Sequence, residues 1–104
     1  MDQVKKKFKV SLLSVLFLSC GITWAADPNN GGAIYSKHCM NCHGDNGIGM
    51  MPGTPNFARG EGLFKPDTEL ATAIRGGRTV MPAFEGLLSE SEIFDVIAYL
   101  RTMR

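Results

Sequence analysis

YSKHCMNCHGD, residues 35–45, sets two cysteines two residues apart and follows the second at once with a histidine. Three chemistries use such a pair: a structural zinc site, a redox disulfide, or covalent attachment of a haem. Zinc would have to draw its ligands from His38, Cys39, Cys42 and His43, all within six residues. Adjacent Cys42 and His43 do not easily share one tetrahedron, and no second pair follows downstream. A thioredoxin-like dithiol sits beside a βαβ pattern, and no alternating strand pattern is visible here. Haem attachment gives every position a task. Each thiol adds across one vinyl group of the porphyrin, and His43 lies beneath the iron as proximal ligand.

The rest of the chain agrees with that choice. Lys5, Lys6, Lys7 and Lys9 precede the apolar run Val10–Leu18, and Thr23 and Ala25 place modest side chains at a cleavable junction. This is the layout of a secretory signal peptide, residues 1–25, cleaved after Ala25 to leave a domain of residues 26–104. Two other outcomes compete: an uncleaved anchor, since Val10–Ala26 is 17 uncharged residues and a spanning helix needs about 17–25, and a lipoprotein acylated at Cys20. Export leaves Cys39 and Cys42 as the only cysteines, in an oxidising compartment. It also reverses the charge. The full chain is nominally +1, but residues 26–104 hold seven Lys/Arg against nine Asp/Glu, a net of −2. A mildly acidic domain with no basic stripe is not a nucleic-acid binder. Its small size limits the core, and a bound cofactor would supply the missing staple.

Helical patterning accounts for most of the remainder. A short helix is expected from Gly31 to Cys39, after a turn-rich DPNNGG. Glycines and prolines punctuate Gly44–Gly62, which is expected as loop; a long loop in a small domain wraps something functional. Pro66 and Asp67 start a helix whose apolar face is Leu70, Ala71, Ala73 and Ile74, and Gly76-Gly77 stops it. Ser89 with Glu92 forms a capping box for a last helix carrying Ile93, Val96, Ile97 and Leu100. Among the methionines available to the open face of the iron, Met40 lies inside the attachment loop. Met50 and Met51 follow the histidine too closely, and Met103 ends the last helix. Met81, a loop and a helix beyond His43 and stiffened by Pro82, is the candidate for the Met/His pair of electron-transfer haems. The competing role for Met81 is an apolar gap-filler.

CMNCHG (39–44), MPAF (81–84) and EIFDVIAYLR (92–101), in that order, make the chain similar to the small bacterial class I cytochromes c. The resemblance spans roughly Gly31 to Arg104. It implies an all-α fold of three to four short helices, with long loops wrapped around one covalently bound haem c. It implies that the first and last helices cross at Gly31, Tyr35, Val96 and Tyr99. A proline carbonyl accepts the proximal histidine's second N–H in that family; Pro55 fits by spacing, Pro52 is the alternative, and Phe57 packs against the haem. The expected function is a periplasmic one-electron carrier, not an enzyme. Its partners would be transient redox donors and acceptors and the cytochrome c maturation machinery, with no stable membrane insertion once processed. The alternatives are a redox subunit tethered to a larger complex and an open-site haem protein that binds small ligands. Aromatic donors to the haem propionates are missing, which leaves Arg59, Lys65, Arg75 and Arg78 as candidates. His38 is expected on the surface.

Overall fold

The computed structural model describes residue 21 and residues 23–104. The expected signal peptide, residues 1–25, therefore lies almost wholly outside the described residues, as does Cys20. Four α-helices follow: α1 (Pro28–His38), α2 (Met40–His43), α3 (Asp67–Gly76) and α4 (Glu90–Leu100), with one 3-10 turn at Phe57–Arg59. No strand is present among the described residues, only isolated bridges between Arg78 and Met81 and between Glu85 and Leu88. The fold is all-α, with short helices joined by long loops, as expected. No helix among the described residues is long and apolar enough to cross a membrane.

The first helix starts earlier than its glycines suggest. Asp27 caps it by accepting from the Asn29 N–H, and Pro28 occupies the first turn, where its missing N–H costs nothing. The two glycines that read as a turn are instead the face α1 presents to α4. A Cβ at Gly31 would collide with the Asp95 carbonyl oxygen and stand 2.9 Å from the Val96 nitrogen. Only glycine allows so close an approach of two backbones. Beside it, the Tyr35 and Tyr99 rings meet at 5.2 Å with a 54° tilt. The Asp95 carboxylate closes the crossing, accepting from the Asp27 N–H at 2.7 Å and the Asn30 amide at 2.8 Å.

α3 and α4 form as their caps require. Ser89 accepts from the Glu92 N–H while the Glu92 carboxylate accepts from the Ser89 N–H, so the capping box is complete. Ile93, Val96, Ile97 and Leu100 are the buried face of α4, against Tyr35, Ala71, Ile74 and Phe84. Gly77 caps α3, as expected. Arg101 does more than offset the dipole at the end of α4. Its guanidinium donates to the Leu63 carbonyl, to the Lys65 carbonyl at 2.7 Å and to Asp67 at 2.6 Å, which clamps the approach to α3 onto α4. Met103, expected at a frayed end, is half-buried, packs against the core and abuts Gly47.

Candidate functional site

The cysteine motif lies where α1 ends. Tyr35 accepts at its carbonyl from the Cys39 N–H, and Cys39 then caps the single turn of α2 that holds Cys42 and His43. Both cysteines are free thiols, Cys39 half-buried and Cys42 exposed. Burial pushes the Cys39 thiol up to about 11, with Cys42 adding to the effect, so it is a protonated, neutral sulfur near neutral pH. Burial also lowers the His43 imidazole, which favours the neutral form a metal ligand must take. Among the described residues, no group of three or more His, Cys, Asp or Glu side chains converges as a metal site.

A cavity of about 530 Å³ opens over this motif. Packing voids in protein cores rarely exceed a water molecule, so a space of this size is built for a ligand of a few hundred cubic ångströms. Cys39, Cys42 and His43 line it, and so do Met81, Pro55 and Phe57. All six residues that the sequence nominates are therefore on one cavity. Its remaining walls include Leu70, Ile74, Phe84, Val96 and Leu100, none of which the sequence nominates for the site. Thiols, an imidazole and a thioether around an apolar slot are the donor set that a covalently held haem requires.

The details sharpen some expectations and correct others. Phe57 is buried and stacks on the His43 ring at 4.8 Å and 17°. The hydrogen bond expected between His43 and the Pro55 carbonyl is not formed: His43 Nδ1 is buried without a partner. Pro52 lines the cavity as well. Met51, expected to be held away, also reaches the lining, because Thr54 turns its loop back by bonding the Met51 backbone. It is 43 % exposed, whereas Met81 is half-buried and packed on the core.

The Met81 loop is a tight turn. Arg78 and Met81 exchange backbone bonds at 3.0 and 2.6 Å, and Thr79 takes φ 44°. Of the four candidate cations, Lys65 and Arg78 line the cavity. Arg75 is engaged by Glu90 at 3.1 and 2.5 Å, and Arg59 is exposed on the 3-10 turn. His38 is half-buried rather than a free surface histidine, edge-on to Phe84 at 6.1 Å.

Helices crossing at a glycine, with a C-x-x-C-H turn facing an apolar slot, define a c-type cytochrome of class I. Comparison with known proteins agrees. The family model described as cytochrome c oxidase, cbb3-type, subunit III matches residues 26–100. The chain is 33% identical over 104 residues to a cytochrome c6 of Thermostichus vulcanus, covering 93% of this chain and 91% of that protein. It is 29% identical over 104 residues to a cytochrome c6 of Nostoc sp., covering 93% and 92%. A cbb3-type cytochrome c oxidase subunit CcoP of Azospirillum brasilense is 30% identical over 96 residues, 86% of this chain but 32% of that subunit. The chain belongs to the small monohaem class I c-type cytochromes: it binds one haem c covalently and carries electrons.

Proposed function

We propose that the protein is a periplasmic one-electron carrier whose haem is attached through Cys39 and Cys42 and whose iron is ligated by His43 and Met81. The observation that carries this is the sharing of one cavity by both thiols, His43 and Met81. The haem supplies reversible ferric–ferrous chemistry, and the chain supplies the surroundings. Cys39 and Cys42 would hold the group and His43 and Met81 would ligate its iron, so electron transfer would require little ligand rearrangement. Phe57 buttresses the His43 ring. With the group bound, the Pro55 carbonyl would accept a hydrogen bond from the His43 Nδ1–H, fixing the orientation of the imidazole. Leu70, Ile74 and Phe84 keep water out, favouring the less charged ferrous state. No substrate is transformed. Export, with residues 1–25 removed, follows from the N-terminal pattern, and partners are met through small transient interfaces.

Carbon monoxide tests the ligation. The reduced wild-type protein is expected to keep its absorption spectrum in carbon monoxide, and Met81→Ala to retain covalent haem while binding the gas at once. Met51→Ala is the comparison, because Met51 reaches the same cavity. Wild-type behaviour in Met81→Ala together with gas binding in Met51→Ala would transfer the ligand role to Met51. The match to the cbb3-type family supports a second reading, a redox module tethered to an oxidase assembly. The mass of the native protein separates the two: loss of residues 1–25 with one haem gained supports the free carrier, and retention supports the tether.

A further inference from the structure

The Tyr35 hydroxyl donates to the Gly44 carbonyl oxygen at 2.6 Å in a buried setting. Gly44 directly follows His43, and its own N–H donates to the Met40 carbonyl at 2.8 Å. The residue sits at φ 77°, and a Cβ there would collide with the Ile48 carbonyl oxygen. The backbone at Gly44, next to the candidate proximal ligand, is thus held through both its N–H and its carbonyl. From it the chain loops out and returns, with Met50 N–H bonded to the Cys42 carbonyl at 2.9 Å and Phe57 N–H to the Gly47 carbonyl at 2.8 Å. That return lays the Phe57 ring on His43. At the other end of the tie, the Tyr35 ring is 1% exposed and wedged against Tyr99 in the α1–α4 crossing.

We infer that Tyr35 is a positioning residue for the haem iron: its hydroxyl couples the helix crossing to the Gly44 peptide and so sets the orientation of the His43 ring and the loop that carries Phe57. This rests on His43 being the proximal ligand. Groups that orient a ligating histidine tune its metal, and the shell around the site controls solvent access and hence potential. Removing the hydroxyl leaves the ring packing intact and loosens only the tie to Gly44. Water then reaches the site more readily and stabilises the more highly charged ferric state, so the potential falls.

The test compares wild-type, Tyr35→Phe and Tyr99→Phe holoproteins by redox titration and by the paramagnetically shifted haem-methyl NMR pattern of the ferric form. Tyr35→Phe is expected to shift the equilibrium with a one-electron titrant about threefold toward ferric, about 28 mV at 59 mV per tenfold, and to redistribute the methyl shifts. Tyr99→Phe, which keeps the Tyr35 hydroxyl, is expected to change neither. A Tyr35→Phe protein that is less stable but has wild-type potential and methyl pattern overturns the inference. Should that variant fail to load haem, 3-fluorotyrosine in Tyr99→Phe labels Tyr35 alone, since the chain has 2 tyrosines. Its stronger phenolic donor is expected to raise the potential, and an unmoved potential overturns the inference equally. A wild-type ferric spectrum without a low-spin histidine-ligated iron would instead defeat the ligand assignment, before any variant is compared.

Discussion

The two halves of the molecule are held by different means. Where α1 crosses α4, backbone meets backbone at Gly31, Tyr35 is 1% exposed and Ile97 is fully buried, so protein atoms fill the space unaided. Opposite lie the loops Gly44–Pro66 and Arg78–Leu88, which surround a cavity of about 530 Å³ and are stitched mainly by single backbone bonds. The helix side is a finished core in miniature, whereas the loop side is the casing of a core whose filling is the haem. A domain this small cannot build two cores from its own side chains.

Removing the filling has the largest expected effect. Cys39→Ala with Cys42→Ala should abolish haem staining on a denaturing gel and strip amide protection from both loops. Haem that survives denaturation would defeat the attachment assignment, and protected loops without haem would erase the contrast between the halves. Next comes the crossing itself. Gly31→Val forces the helices apart, since its side chain has no room before the Asp95–Val96 backbone. Overpacking of this kind costs about 3 kcal/mol, read by denaturant unfolding of the holoprotein. A loss below about 0.5 kcal/mol would mean that the crossing is more yielding than its geometry implies.

The contrast also explains what could be read from sequence. α4 was legible because its capping box, apolar stripe and aromatic residues act locally and agree. The crossing was legible through the resemblance, yet the start of α1 was misplaced, because Gly31-Gly32 carries a turn signal whose real cause is a partner 64 residues away at Asp95. The C-x-x-C-H motif and the distant Met81 were singled out by spacing and chemistry, and they line one cavity. The loop paths were not. The approach of Met51 to the cavity, the half-burial of Met103 and the Arg101 clamp depend on backbone bonds and long-range contacts that leave no periodic trace.

Tyr35 joins the halves, and alkaline pH probes it. Burial first, then charge on Cys39 in the haem-free chain, Tyr99 and Asp45, push its phenol up to about 12 from an ordinary 10.0. An unfolded chain releases this proton at lower pH than the folded one, so its contribution is complete below pH 10 and is lost as pH rises toward 12. Wild-type stability should therefore fall across that window more steeply than that of Tyr35→Phe, as measured by denaturant midpoints at fixed pH. Parallel curves for the two proteins would show that the hydroxyl ionises as freely in the folded state as in the unfolded.

The smallest effect separates stability from redox tuning. Ser89 caps α4 on an exposed surface, and Ser89 is not among the residues lining the haem cavity. Ser89→Ala breaks the capping box at a cost of about 1 kcal/mol. In a domain of this size that lowers the melting temperature by about 4–8 °C. The cavity walls that α4 supplies, Val96 and Leu100, are two and three turns away and remain packed, so the potential should not move. A potential that falls together with the melting temperature would mean that fraying at the start of α4 reaches the cavity, and that the helix side tunes the haem as well as supporting it.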